Sequence, residues 1–178
     1  DGSYTEDLLI DTINSNLANV LGNLVNRTIG MSNKYFDGIV VNKNVSEDID
    51  NDFINDILSV KDKVEENINK YRVADSLENI IDGYRRCNKY IDDTMPWVLV
   101  KDDTKKDRLS TVLYNLVEAI RIITVLLQPY LPDTSKNIFK QINTDKVSYD
   151  SISEFGSYIS GTKLNIPEIL FKRIEQEK

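Results

Sequence analysis

The sequence predicts an all-α protein: an antiparallel helical bundle of about five helices, closed by an irregular C-terminal strap. Three observations carry this. Apolar residues recur at 3–4 spacing through four long stretches, and no strand pattern runs beyond three or four residues. The composition, 40% apolar and 29% charged with only 7 Gly and 4 Pro, suits packed helices. The length of 178 residues is enough to bury a core without disulfide or metal staples.

The first helix is expected over Thr5 to Met31, with Ser3-Tyr4-Thr5-Glu6 in capping-box spacing at its start. Leu9, Ile13, Leu17, Val20, Leu21 and Leu24 make its apolar face. The remaining surface is amide-rich, with Asn14, Asn16, Asn19, Asn23 and Asn26 followed by Arg27. At about 100° per residue, Asn16, Asn23 and Arg27 fall within roughly 40° of one another. Asn competes for backbone hydrogen bonds and weakens a helix. Two readings of the stripe stay open: compositional drift in an Asn- and Ile-rich chain, or amides put to use.

The helix should give out between Gly30 and Asn33, with Lys34-Tyr35-Phe36-Asp37-Gly38 as a turn and a loop to about Asn44. Ser46 reads as the N-cap of a second helix, buried through Ile49, Phe53, Ile57, Val60, Val64, Ile68 and Tyr71. A tight reversal near Tyr71-Arg72 leads into a third helix, buried through Val73, Leu77, Ile80, Tyr84, Cys87 and Ile91. Met95-Pro96-Trp97 ends it or starts a new turn, because the residue before a proline is disfavoured in helix. The fourth long helix, about Lys105 to Gln128, is apolar on nearly all sides and should be central. Pro129 and Pro132 stop it, and a shorter amphipathic helix follows to about Ile142. We expect residues 1–142 to form the bundle and 143–178 to be a strap packing back on it within the same domain. Leu170 to Glu177 would be a last helical turn or two.

Composition excludes several chemistries. The chain has no histidine, which removes Ser-His and Cys-His nucleophile systems, His general bases and His-containing metal sites. The single Cys87 rules out an internal disulfide and a Cys-based structural zinc site. No catalytic residues, metal ligands or cofactor are expected in this segment. At a net charge of −7, bulk attraction to nucleic acid is not available, so RNA binding would have to be local and made through bases. No uninterrupted run of 18 apolar residues occurs, and no basic region precedes an apolar segment at the N-terminus. The expectation is a cytoplasmic protein with no membrane partner.

The second informative stretch is Asn88-Lys89-Tyr90-Ile91-Asp92-Asp93-Thr94-Met95-Pro96-Trp97. Trp97 is the only tryptophan; such a residue is more often core than a platform on which a base stacks, and both readings stand on the residues alone. Tyr90 and Asn88 read as helix-packing residues. Asp92-Asp93 and Asp102-Asp103 read as loop and capping residues, Cys87 as core, and Arg85, Arg86, Lys89, Lys101, Lys105, Lys106 and Arg108 as solvated basic faces.

These stretches together resemble the anticodon-binding domain of methionyl-tRNA synthetase. The segment from Asn14 to Thr28 is similar to the family's opening helix, and Lys34-Tyr35-Phe36-Asp37-Gly38 to the turn after it. Asn88-Lys89-Tyr90-Ile91 with Pro96-Trp97 resembles the motif at the end of its third helix. Pro129-Tyr130-Leu131-Pro132-Asp133-Thr134-Ser135 resembles its proline-bounded turn, and Leu170-Phe171-Lys172-Arg173-Ile174-Glu175 its closing segment. The likeness covers nearly the whole chain. The Pro-Trp motif is shared with class I synthetases for other amino acids; the first helix and closing segment single out the methionine enzyme. The departures are Asn16 for Asp, Met95 for Ala, Lys172 for Pro, and no Pro near Val40–Val41.

The resemblance implies that Asn23, Arg27 and Trp97 contact the CAU anticodon of methionine tRNA, and that they lie together on one exposed edge. It also implies a parent that attaches methionine to tRNA using ATP and Mg. The family's HIGH and KMSKS signatures do not occur here, so the catalytic domain would precede Asp1 and this piece would be inactive alone. Two rivals remain at this stage: the anticodon domain of another class I synthetase, and a helical protein-interaction module without RNA binding.

Overall fold

The computed structural model describes residues 2–165. Helices α1 (Gly2–Phe36), α2 (Asp48–Asn69), α3 (Val73–Thr94), α4 (Pro96–Leu99), α5 (Lys106–Leu127) and α6 (Pro132–Gln141) follow in order. Two-residue strands β1 (Ile39–Val40) and β2 (Thr162–Lys163) pair antiparallel, Ile39 opposite Lys163. Five long helices and a minimal two-strand ribbon make the all-α bundle that the apolar spacing predicts.

Helix α1 is longer than expected at both ends. It is already helical at Gly2, so Ser3 is not its cap, and it continues past Gly30 to Phe36. It stops where Asp37 (φ 54°) and Gly38 (φ 77°) turn left-handed and the Gly38 N–H closes on the Ser32 carbonyl at 2.9 Å. A side chain at Gly38 would start 2.7 Å from Asn33 Oδ1, so glycine suits this position twice over. Ile13, Leu17, Leu21, Leu24, Val25 and Ile29 are buried, whereas Leu9 is exposed and Val20 only half-buried.

The start of α2 falls one residue later than Ser46: Glu47 is the cap, and its N–H donates to Asp50 Oδ2 at 3.3 Å. Phe53, Ile57, Val60 and Val64 are buried, but Ile68 and Tyr71 are exposed. The periodicity runs on past the point where the helix leaves the core, and Tyr71 (φ 59°) belongs to the reversal into α3. Asp50–Tyr90, Asp56–Arg86 and Asn67–Asn79 contacts show that α2 and α3 run antiparallel. Tyr90–Asn115, Tyr84–Thr124 and Ser76–Tyr130 show the same for α3 and α5. Gly83 lets α3 and α5 approach, since a Cβ there would lie 2.7 Å from Ile123 Cδ1.

Helix α5 is the axis of the bundle, buried from Arg108 to Leu127. The stretch Asp103–Leu127 is long and apolar enough to cross a membrane, yet its most apolar stretch is wholly buried within the bundle. Arg108, read from sequence as part of a solvated basic face, is buried at 5% exposure. Its guanidinium donates to both carboxylate oxygens of Asp50, at 2.6 and 2.9 Å, and to the Val45 carbonyl at 2.8 Å. Burial alone would raise the Asp50 carboxyl's pKa; hydrogen bonds from Arg108 and Tyr90 outweigh it and hold the group below its ordinary value. Tyr90, read as a packing residue, is buried and stacked on Phe53 with ring centroids 4.0 Å apart. Cys87 is fully buried, and burial pushes its thiol pKa up, as fits a core residue.

From Asn143 to Asn165 the chain is irregular apart from a 3-10 turn at Tyr149–Ile152 and β2. It is held chiefly by one buried pair on α5. Glu118 accepts from Arg121 Nε and from the Gly156 and Ser157 N–H groups, and Arg121 donates to Lys146 O and Ser151 Oγ. Tyr114 Oη donates to the Tyr158 carbonyl, and Tyr158 Oη to the Ile142 carbonyl. The turn or two of helix expected at Leu170 to Glu177 lies outside the described residues.

Candidate nucleic-acid interface

Helices α1, α3 and α4 frame the candidate site. Asn23 and Arg27 are one turn apart on α1, which keeps both side chains on one face. Arg27 Nη1 donates to Asn88 Oδ1 at 3.4 Å and Nη2 to Asp92 Oδ1 at 3.3 Å, so the guanidinium bridges from α1 to the last two turns of α3. The side chains of Arg27 and Asp92 are 39% and 67% exposed, so this ion pair is weak, on the order of 0–1 kcal/mol. Arg27 is thus aimed without being locked.

Past Thr94 the chain bends sharply. Met95 adopts a left-handed backbone (φ 49°) while its N–H still closes on the Ile91 carbonyl, and Pro96 takes the first position of α4. A non-glycine residue held left-handed costs about 1 kcal/mol or more. What it achieves is direction: Pro96 is buried and Leu99 half-buried, and the opposite side of α4 faces outward. Trp97 is 41% exposed, flanked by exposed Met95 and Val98. Among the described residues the indole stacks on no other ring and its Nε1 donates no hydrogen bond. A tryptophan left open and unpartnered is available as a stacking surface. Asn23 is likewise exposed, and its side-chain amide makes no hydrogen bond among the described residues.

Arg27 is therefore placed against α3, within a few residues of the bend that presents Trp97. Two members of this arrangement were missed from sequence. Asn88 is not simply a packing residue, nor is Asp92 a loop or capping residue: both lie in α3, four apart, and take the Arg27 guanidinium between them. Their i,i+4 spacing in a helix that follows an exposed Arg is the signal that was available. Asp93 is also helical and pairs with Lys89 at 2.8 Å, whereas Asp102 does cap, accepting from the Thr104 N–H at 3.0 Å. Among the described residues no group of three or more acidic or sulfur ligands could hold a metal.

Residues 41–178 match the family described as the anticodon binding domain of methionyl tRNA ligase. The chain belongs to this family. The methionine–tRNA ligase of Clostridium acetobutylicum is 45% identical over 178 residues, covering 100% of this chain and 28% of that protein. That of Clostridium tetani is 47% identical over 99% of the chain and 28% of its own length; that of Bacillus subtilis is 40% identical, over 100% and 27%. Among solved structures, the apo form of Mycobacterium tuberculosis methionyl-tRNA synthetase superposes with a TM-score of 0.81 at 30% identity, covering 90% of this chain and 33% of that one. The chain thus spans under a third of the length of the methionyl-tRNA ligases it matches. Trp97 falls inside the matched anticodon-binding segment, whereas Asn23 and Arg27 precede it and are reached by the full-length likeness to the ligases.

Proposed function

We propose that this anticodon-binding domain recognises the CAU anticodon of methionine tRNA, with Asn23 and Arg27 hydrogen bonding to base edges and Trp97 supplying the face on which a base stacks. The observation that carries the reading is the open, unpartnered Trp97 ring, held outward by a strained backbone at Met95. Sequence-specific RNA recognition works on unstacked bases in loops, through stacking and hydrogen bonds to base edges. An Arg and an Asn amide beside an aromatic face supply both. The net charge of −7 is compatible with this, because base contacts need no broad basic surface.

In this reading the chain works as part of a longer cytoplasmic methionyl-tRNA ligase that attaches methionine to tRNA with ATP and Mg. The remainder of that protein, a catalytic domain preceding Asp1, is its other partner. The segment itself holds no cofactor and performs none of the chemistry. No histidine is present for a HIGH-type signature, and no Gly-rich phosphate loop occurs in the sequence.

The test is a fluorescence titration of the 178-residue chain with a hairpin carrying CAU in its loop and with single-base variants of that loop. Preferential binding of CAU is expected. Equal affinity for all loops, or none for any, overturns the reading.

A further inference from the structure

Between Asp11 and Asp37 the chain contains no carboxylate, although Asp and Glu make up 29 of its 178 residues. This acid-free stretch, residues 12–36, makes up 25 of the 35 residues of α1, and its outward side carries Asn16, Asn19, Asn23 and Asn26 beside Arg27. All four amides are exposed, and none makes a hydrogen bond among the described residues. At about 100° per residue they and Arg27 occupy a band about 100° wide, opposite buried Leu17, Leu21 and Leu24. From Asn16 to Arg27 the band is about 16 Å long at ~1.5 Å per residue, the reach of roughly five nucleotides at ~3.4 Å each.

We propose that this band of α1 is a second RNA contact, in which Asn16 and Asn19 hydrogen bond to ribose 2′-hydroxyls of the strand that leads away from the bases read at Arg27 and Trp97. The inference rests on the anticodon-binding reading and extends it from the loop to the stem. Phosphate gripping would call for Lys or Arg, of which this stretch has only Arg27 and Lys34. A primary amide donates and accepts, as a 2′-hydroxyl does, and paired RNA offers its hydroxyls along an accessible minor groove.

The experiment uses two hairpins with the same CAU loop, one all-ribose and one with 2′-deoxyribose throughout the stem. Each is titrated with the wild-type chain, the Asn16→Ala/Asn19→Ala double variant, and Trp97→Ala. The double variant should lose on the order of tenfold in Kd for the all-ribose hairpin, as expected for two hydrogen bonds, and little for the deoxy-stem hairpin. Trp97→Ala should lose affinity for both. Exposed Asn→Ala changes raise helix propensity, so unfolding is no confounder. The inference is overturned if the double variant binds the all-ribose hairpin as wild type does, or loses equally on both. A wild-type chain that binds neither hairpin overturns the anticodon-binding reading along with it. A silent double variant beside a weakened Trp97→Ala sinks this inference alone.

Discussion

Arg108→Met isolates a buried charge, and its consequence can be worked from the contacts. Asp50 is 1% exposed and accepts from Arg108 twice, from Tyr90 Oη at 2.6 Å and from the Glu47 N–H. Without Arg108 it keeps two neutral donors in a site closed to water. Removing one partner of a buried pair costs about 3–5 kcal/mol. The variant has one escape, which is to protonate Asp50. At pH 7 that costs about 4 kcal/mol, since the ordinary Asp pKa is about 3.9 and each unit is worth about 1.4 kcal/mol. At pH 5 it costs about 1.5 kcal/mol by the same arithmetic. In the wild type the folded-state pKa of Asp50 is depressed, so its contribution is present above the unfolded value and is lost only as pH falls through the lower folded one. That window lies below pH 4, so the wild type keeps this stabilisation at both pH values. In the variant the folded pKa is raised, and the penalty shrinks as pH drops from 7 toward 5. Urea unfolding at both pH values should show a deficit of about 4 kcal/mol at pH 7, roughly 10 °C in Tm, and a deficit smaller by 1–3 kcal/mol at pH 5. A deficit under about 1 kcal/mol, or one equal at the two pH values, would refute the account of Asp50 as a buried, paired carboxylate.

Other outcomes follow from the interface and the C-terminal segment. Trp97→Ala should weaken CAU and mismatched hairpins alike, by roughly 1–3 kcal/mol for a lost stack, whereas Arg27→Ala should narrow the gap between them; unchanged discrimination in Arg27→Ala refutes base reading by the guanidinium. Because few phosphate contacts are expected, log Kd against log salt should be shallow, and a slope as steep as that of a many-phosphate binder would contradict the base-centred mode. The 178-residue chain should show no methionine-dependent ATP–pyrophosphate exchange, and measurable exchange would place adenylate chemistry in this segment after all. Glu118→Gln removes the charge that holds Arg121 and the Gly156 and Ser157 N–H groups. Amide exchange across residues 146–157 should quicken ahead of the α3 core, and uniform protection would show that the segment is held by other contacts.

What the sequence determined by itself is what local periodicity encodes. Most apolar positions of α1, α3 and α5 are readable because a helix repeats every 3.6 residues, although Leu9 and Val73, near helix starts, are exposed, and helix breaks at Met95-Pro96 and Pro129–Pro132 are readable because proline constrains its own backbone and its neighbour's. The central place of α5 followed from its being apolar nearly all round, and the family likeness rested on motifs that are contiguous in the chain. Periodicity says nothing about where a helix leaves the core, so Ile68 and Tyr71 were assigned to a buried face that ends before them. It also cannot pair charges 58 residues apart: Arg108 sits in a run of basic residues indistinguishable from a solvated face until α2 delivers Asp50 to it. The same holds at the interface. Asn23 and Arg27 were visible as one helical face, and Trp97 as a lone aromatic after a proline. That Asn88 and Asp92 hold Arg27, and that Trp97 turns outward from the left-handed Met95, depends on how α1 crosses α3 and how the chain bends after it. Those are products of packing between segments about 60 residues apart, and only the tertiary structure could decide them.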